Sequence, residues 1–367
     1  MATDQTTEVW REDVRGGYPD PRLIGLPGRE RLESWALARS PAPPLTRLTG
    51  AVIDDVGSGT ASAAMPASGW LLNAAGVIGG GALAIVADIA FGCAIQTELA
   101  PGIPYTTAEL SMSFLRPAQL DRTLSAGGQA IHVGRSVALS EAFLIEEDSE
   151  RLIAHGTSRC AVLPRVEPVP EPPRELPLVE RDGDEDSDPY RRPWPRDGVI
   201  PQGTWDRLSG KEVLALQLAG DIPPPPIGGL TGVRLIEFGD GTATMTMPAS
   251  GWLTSPARTV QGGVIAMLAD MAMGIAVETT APAGTALAGL DLKVNYLRPV
   301  HPDGRELTAR ASVIHHGRTL VITRAEVRNA DEKPVALATG SSMYLRDRPA
   351  NLGEVEFPAE AEESEPQ

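Results

Sequence analysis

The sequence contains one pattern twice, and the second copy follows 182 residues after the first. Residues 65–71, Met-Pro-Ala-Ser-Gly-Trp-Leu, recur letter for letter at 247–253. Leu-Thr-Gly at 48–50 returns at 230–232, and Leu-Arg-Pro at 115–117 returns at 297–299. An offset that stays constant over about a hundred residues indicates a tandem duplication, so the chain should fold as two copies of one unit.

Each copy contains an apolar segment of helical length with a single carboxylate in its middle. Asp88 lies eight residues after Gly80, and Asp270 lies eight residues after Gly262. A helix that is apolar on nearly every face is buried, so each Asp needs a hydrogen-bonding site, as a catalytic carboxylate also does. A membrane-spanning helix is the alternative, but a central Asp makes it costly and the flanking segments alternate like strands of a soluble domain.

The composition sets limits on the size, partners and location of the protein. Its 367 residues are enough for two domains, and 42% hydrophobic content supports a core in each. The net charge of −16 opposes binding to nucleic acid or to an anionic membrane. Cys93 and Cys160 lack the spacing of metal ligands, which indicates a reducing compartment. No signal segment is recognisable at the N-terminus, so a cytoplasmic location is expected.

Composition and periodicity divide the chain into five regions. Residues 1–25 are predicted to form a mobile arm, and residues 26–163 the first repeat. Residues 164–203, rich in Pro and acidic residues, are predicted to form an extended, solvated linker. Residues 204–348 form the second repeat and 349–367 an acidic disordered tail, since 351–367 carry six acidic and no basic side chains.

Both repeats have the same predicted element order. A short helix (about 29–38 and 210–219) precedes one strand (50–65 and 232–247), the Trp loop and the apolar helix. Alternating strands joined by hairpin-type turns follow, which gives about five strands in each repeat. One helix with mostly hairpin-connected strands predicts an α+β unit in which an antiparallel sheet wraps the helix. Two such units are expected to pair side by side through pseudo-twofold symmetry.

These motifs together resemble the hotdog-fold acyl-CoA thioesterases, most closely the phenylacetyl-CoA thioesterase type. The similarity lies in the Gly-Gly helix with its Asp, a strand ending in Phe/Tyr-Leu-Arg-Pro, and a Gly-Arg hairpin turn. It covers both repeats, so the chain resembles a double hotdog forming a pseudo-dimer. The resemblance implies hydrolysis of an acyl-CoA thioester without metal or redox cofactor, with coenzyme A present only as part of the substrate. It also implies a homo-oligomer, a dimer or trimer of double hotdogs.

The resemblance implies roles for the duplicated residues. Asp88 and Asp270 would act as general bases or attack the thioester carbonyl directly, and the backbone N–H groups of Gly80 and Gly262 would polarise that carbonyl. Free N–H groups and the positive end of the dipole at a helix N-terminus suit a developing oxyanion. Close packing of helix on sheet is the alternative reason for a glycine pair.

In related dimers each site joins the glycine loop of one unit to the Asp of the other, and further polar residues support it. The first repeat keeps an amide at Asn73 and a hydroxyl at Thr107, where the second has Ser255 and Gly289. The family often has His before Gly-Gly, and both copies depart from this pattern, with Gly79 and Gln261. The two expected sites are Asn73 and Gly80 with Asp270, and Ser255, Gln261 and Gly262 with Asp88 and Thr107.

Four arginines that follow strands or occupy hairpin turns are candidates for holding the phosphates of coenzyme A: Arg116, Arg298, Arg135 and Arg318. An ordinary solvated arginine is the alternative for each of them. His132, His315 and His316 lie on the same hairpins without a metal-ligand cluster, so we interpret them as strand residues.

Two other functions remain to be weighed against hydrolysis. The first is a non-catalytic acyl-CoA binding protein, favoured by the missing His and opposed by the Asp retained in both repeats. The second is a hotdog hydratase or dehydratase, which would carry a His five residues after the Asp. Those positions hold Cys93 and Ile275, which opposes that function. No Gly-x-Ser-x-Gly motif supports a serine hydrolase.

Overall fold

The computed structural model describes residues 8–37, 40–176, 187–346 and 348–350. The α-helices over these residues are α1 (Gly28–Ala36), α2 (Pro44–Thr49), α3 (Gly80–Thr97), α4 (Gln202–Arg207), α5 (Gly210–Ala219), α6 (Pro226–Thr231) and α7 (Gly262–Glu278). The strands are β1 (Val52–Val56), β2 (Thr60–Pro66), β3 (Tyr105–Phe114), β4 (Thr123–Val133), β5 (Val137–Glu146), β6 (Arg151–Val162), β7 (Arg234–Gly239), β8 (Thr242–Pro248), β9 (Thr285–Tyr296), β10 (Glu306–His316), β11 (Leu320–Arg328) and β12 (Pro334–Arg346).

A long apolar helix lies at the centre of each repeat, α3 in the first and α7 in the second. By length and composition α3 could cross a membrane, but 89% of it is buried inside the protein. Ile85 is 1% exposed and Leu268 is fully buried. Both are therefore core helices, as their apolar faces predict.

The strands form one antiparallel sheet, in the order β1-β2-β4-β5-β6-β3-β9-β12-β11-β10-β8-β7. The two repeats meet where β3 pairs with β9, with Leu110 opposite Val294 and Met112 opposite Leu292. All four side chains are almost fully buried. The predicted α+β fold of two hotdog units in a side-by-side pseudo-dimer is confirmed.

The predicted strands 50–65 and 232–247 are wrong in extent, because each is a hairpin. Gly59 and Gly241 adopt φ values of +67° and +66° between the two strands of each hairpin. This left-handed conformation suits glycine and reverses the chain. Over the described residues each repeat therefore has six strands rather than about five. The sequence analysis also missed α2, which begins at the second proline of Pro43-Pro44, and α6, which begins at the last of the four prolines at 223–226.

The two central helices pack against each other through their glycine-rich N-terminal turns. A Cβ at Gly81 would lie 2.7 Å from Cα of Met267, and a Cβ at Gly263 would lie 2.7 Å from Cα of Ile85. Only glycine allows this approach, which brings the first turn of each helix against the middle of the other. The position of each glycine pair relative to the Asp of the other repeat follows from this packing.

The predicted mobile arm (1–25) and solvated linker (164–203) are held against the repeats at residues 8–25 and 187–200, whereas residues 164–176 are exposed or half-buried and contain no helix or strand, as predicted for a linker. Val9 is fully buried, and the carbonyl of Glu12 accepts a hydrogen bond from Trp252 Nε1 at 3.1 Å. Trp70 is the equivalent of Trp252 in the first repeat, and its Nε1 donates a hydrogen bond to the carbonyl of Arg192 at 3.0 Å. A buried indole N–H needs an acceptor, and these segments supply it. An ion pair of 2.7 Å between Arg192 and Glu12 joins the two segments.

Little of the predicted acidic tail (349–367) can be compared with the structure, because residues 351–367 lie outside the described ranges. Of the two described residues, Ala350 is 8% exposed and its N–H donates to Gln202 Oε1 at 2.7 Å. The start of this region is thus held against α4.

Candidate active sites

Two cavities combine residues of both repeats, and each holds one of the two aspartates. The first, of about 1010 Å³, is lined by Asp88 of the first repeat and Gly262 of the second, and is here named the Asp88 cavity. The second, of about 880 Å³, is lined by Asp270 and Gly80 and is named the Asp270 cavity. Each cavity thus joins the glycine turn of one repeat to the Asp of the other.

Asp88 lies at the N-terminus of α7, where its carboxylate receives hydrogen bonds from both repeats. The backbone N–H of Gly263 donates to Oδ2 at 3.1 Å, and Thr107 Oγ1 donates to Oδ1 at 3.1 Å. The first amides of a helix lack intrahelical partners and carry the positive end of its dipole, so they attract an anion. The same amides are suited to a developing oxyanion.

The pKa of Asp88 is set by two opposing effects. Burial raises it from 3.8 to about 6, while hydrogen bonds from Gly263, Thr107 and Gly262 limit the rise. The side chain is 8% exposed, so little water solvates its charge. A pKa near 6 leaves the carboxylate ionised at neutral pH yet more basic than an ordinary Asp, which suits a general base.

Gln261 adds an amide of fixed orientation to the Asp88 cavity. Its Nε2 donates to the carbonyl oxygen of Ile85 at 2.8 Å, which assigns the other atom as Oε1. Gln261 is 5% exposed, and Oε1 is buried without a hydrogen-bond partner among the residues that the structure describes. Oε1 is thus an acceptor for which the described residues supply no donor.

Tyr296 also lines the Asp88 cavity, although the sequence analysis did not select it. Its hydroxyl donates to the carbonyl oxygen of Gly262 at 2.8 Å. The N–H of the same peptide group, on Gly263, donates to Asp88, so the peptide is polarised and held at both ends. The equivalent residue in the first repeat is Phe114. The presence of Tyr in one repeat and Phe in the other was the sequence feature that could have indicated a role for the Tyr296 hydroxyl.

Asp270 has fewer polar partners in its cavity. The N–H of Gly81 donates to Oδ2 at 2.8 Å. Burial raises the pKa of Asp270 to about 6, the Gly81 bond limits the rise, and the nearby Asp291 carboxylate adds to it. Asp291 in turn accepts a hydrogen bond from Ser341. The carboxylate pair makes the ionised form of Asp270 less favourable.

Among the pseudo-equivalent positions at which the two cavities differ, three have a hydrogen-bonding side chain in the Asp88 cavity and none in the Asp270 cavity. Thr107 corresponds to Gly289, Gln261 to Gly79, and Tyr296 to Phe114. The Asp270 cavity therefore keeps the helix N-terminus and the carboxylate but lacks these three hydrogen-bonding side chains.

Asn73 and Ser255 line opposite cavities, but their side-chain oxygens serve the Trp loops. Asn73 Oδ1 accepts from the N–H groups of Ala75 and Val77, both at 3.0 Å. Ser255 Oγ accepts from the N–H of Ala257 at 3.3 Å. These contacts are typical of Asx and Ser/Thr turns, so they support the shape of the loop beside each glycine pair.

The four candidate arginines fall into two groups. Arg116 lines the Asp270 cavity and Arg298 lines the Asp88 cavity, each with a guanidinium donating to a backbone carbonyl oxygen. Arg135 and Arg318 are exposed at the β4–β5 and β10–β11 turns and are not among the residues lining either cavity. The geometry thus favours the first pair as contacts of a ligand in the cavities.

Comparisons with known proteins match both repeats. The family described as Thioesterase superfamily matches residues 75–153 and 258–336. A Halobacterium salinarum protein named as an esterase, VNG_1336C, is 36% identical over 127 residues, which are 32% of this chain and 82% of that protein. The acyl-coenzyme A thioesterase PaaI of Escherichia coli is 32% identical over 111 residues, which are 30% of this chain and 76% of that protein.

One solved structure is similar over most of the chain. The tesB protein MAP1729c of Mycobacterium avium subs paratuberculosis has a TM-score of 0.52 and covers 82% of this chain and 98% of its own. Sequence identity is 16%, so this likeness concerns the fold alone.

Proposed function

Because this chain belongs to the thioesterase superfamily, we propose that it hydrolyses acyl-CoA thioesters and that the Asp88 cavity carries the reaction. The observation that supports this assignment is that one cavity is lined both by Asp88 and by Gln261, whose Oε1 has no hydrogen-bond partner among the described residues. The Asp270 cavity has no counterpart of Gln261, since Gly79 stands there.

In the proposed reaction Asp88 acts as a general base. A water molecule held by Gln261 Oε1 and Asp88 gives a proton to the carboxylate as its oxygen bonds to the thioester carbon. The N–H of Gly262, released as the Asp88 carboxylate is protonated, stabilises the oxyanion. When the tetrahedral intermediate collapses, the C–S bond breaks and Asp88 returns the proton to the sulfur, which yields free acid and coenzyme A thiol.

Direct attack by Asp88 on the carbonyl is less favoured by this geometry. Each carboxylate oxygen already accepts a hydrogen bond, one from Gly263 and one from Thr107. These bonds stabilise negative charge on the oxygens and lower their nucleophilicity. Transfer of a proton from water leaves them in place.

The lining of the Asp88 cavity suggests the direction in which the substrate lies. Arg298 follows Tyr296, which bonds Gly262 at the glycine turn, and Gln96 lies two helical turns beyond Asp88 along α3. A guanidinium suits the phosphates of coenzyme A. We therefore place coenzyme A on the Arg298 side and the acyl group along α3.

The test compares hydrolysis by two matched variants, Asp88→Asn and Asp270→Asn. Release of coenzyme A thiol from a panel of acyl-CoA esters is followed with a thiol reagent, and folding is checked by circular dichroism. Loss of the base in Asp88→Asn should lower kcat/KM by about 10²-fold or more. Asp270→Asn should keep most of the rate.

The outcomes separate the alternatives. A folded Asp88→Asn variant with wild-type kcat/KM would refute the assignment of the reaction to this cavity. No hydrolysis of any ester by the wild type, together with tight acyl-CoA binding, would identify a binding protein.

A further inference from the structure

The Asp270 cavity extends along one face of α7, well beyond Asp270. Asp270, Gly274 and Glu278 all line it, and residues spaced by four lie on the same face of a helix. A Cβ at Gly274 would meet no atom within 4 Å, so the cavity is open between the two carboxyl groups. Eight residues at about 1.5 Å each place Glu278 about 12 Å from Asp270 along the helix.

The far end of this cavity contains two buried polar atoms that need partners. Glu278 Oε1 and Trp205 Nε1 are both buried, and neither has a hydrogen-bond partner among the described residues. Both residues line the Asp270 cavity. The segment bearing Trp205 is held against the end of α7, because Trp205 O accepts from Gly284 N at 2.8 Å and Gly210 N donates to Ala281 O at 3.0 Å.

The chemistry of this pair favours a neutral polar group. Burial raises the pKa of Glu278 to about 8, so its carboxyl group is largely protonated at pH 7 and can donate as well as accept a hydrogen bond. Trp205 Nε1 only donates. A hydroxyl group can accept from either donor and donate to the carboxyl oxygen, whereas a methyl end satisfies neither polar group.

The Asp88 cavity is narrower at the equivalent place. Gly92 corresponds to Gly274, and a Cβ there would lie 2.9 Å from the Tyr105 hydroxyl. Leu287 stands at the position of Tyr105 in the second repeat, and Gln96 at the position of Glu278 in the first. The open passage to a carboxyl group is thus a property of the Asp270 cavity.

We propose that the Asp270 cavity binds acyl groups carrying a hydroxyl at their far end, which Glu278 and Trp205 would hold. An extended chain advances about 1.25 Å per C–C bond, so 12 Å corresponds to about ten carbons. This inference rests on the proposed acyl-CoA function and names the acyl class that one of its two cavities recognises.

The test measures binding rather than hydrolysis. Isothermal titration compares two stable thioether analogues, S-decyl-CoA and S-(10-hydroxydecyl)-CoA, with the full-length protein. The Asp270 cavity should bind S-(10-hydroxydecyl)-CoA at least about tenfold more tightly than S-decyl-CoA, because S-decyl-CoA leaves buried polar groups without a hydrogen bond. Glu278→Leu should remove this preference, while Gln96→Leu, the matched change in the Asp88 cavity, should leave it unchanged.

A second variant tests the passage itself. Gly274→Leu fills open space and replaces a helical glycine by a better helix former, so it should fold. The substitution should weaken the binding of both decyl ligands to the Asp270 cavity at least about tenfold, but it should not weaken the binding of S-ethyl-CoA. Equal affinity of the wild type for the two decyl ligands, or a preference that survives Glu278→Leu, would overturn the inference. Failure of every thioether to bind would instead count against the acyl-CoA function.

Discussion

Replacing Asp88 by Asn should stabilise the folded protein above pH 6 while removing hydrolysis. The pKa of Asp88 rises from 3.8 to about 6 because its charge is buried. A difference of about two pKa units at about 1.4 kcal/mol each means that ionised Asp88 costs the folded state about 3 kcal/mol. Asn keeps an oxygen to accept from Gly263 and an amide that can donate to Thr107, so most of the local hydrogen bonding is retained.

The pH dependence of this gain follows from proton linkage. Between pH 3.8 and 6 the folded state holds the Asp88 proton more tightly than the unfolded state does. The stabilising contribution of the protonated group is complete below pH 3.8 and is lost as pH rises through 6. Asn does not titrate. The free energy of unfolding of the variant should therefore exceed that of the wild type by about zero at pH 4 and by about 3 kcal/mol at pH 7 and above.

Thermal unfolding of both proteins from pH 5 to pH 8 measures the effect. A gain of this size should raise the melting temperature by several degrees at pH 8 and by less at pH 5. Asp148, whose side chain is 67% exposed, supplies the control, and Asp148→Asn should change stability by under about 0.5 kcal/mol at each pH. A gain for Asp88→Asn that is absent at pH 8, or equal at pH 5 and pH 8, would refute the reasoning. In the wild type, kcat/KM should fall as pH drops through about 6.

Three further predictions concern the supporting residues and the termini. Gln261→Ala removes the oxygen proposed to hold water and should lower kcat at least about tenfold in a folded protein, as measured with the thiol assay. Tyr296→Phe removes the bond to Gly262 and should cost about 1 kcal/mol of stability, measured by denaturant unfolding. Deleting residues 1–15 exposes the Trp252 indole and should lower the melting temperature by several degrees, whereas deleting 351–367 should leave stability and hydrolysis nearly unchanged. Equal changes in melting temperature on the two deletions would contradict this last prediction.

The duplication and the two buried aspartates could be predicted from the sequence because both are local or periodic signals. The constant offset fixes the number of units, and an apolar helix with one Asp must bury that Asp whatever its neighbours are. The hotdog architecture and the exchange of glycine turns between repeats followed from the resemblance of these motifs. The hairpin at Gly59 had a local signal, because Gly57-Ser-Gly59 and Gly239-Asp-Gly241 are turn sequences, and the sequence analysis did not use it.

Only the tertiary structure decided which groups meet across the repeats. Gln261 Oε1 has no partner among the described residues because the amide nitrogen, and not the oxygen, bonds Ile85, which belongs to the other repeat. The buried N-terminal segment depends on Trp252 lying where the carbonyl of Glu12 can reach it. The open passage from Asp270 to Glu278 depends on what packs opposite α7. Such contacts join residues far apart in the chain, so no local pattern encodes them, and they exist only once two folded surfaces are brought together.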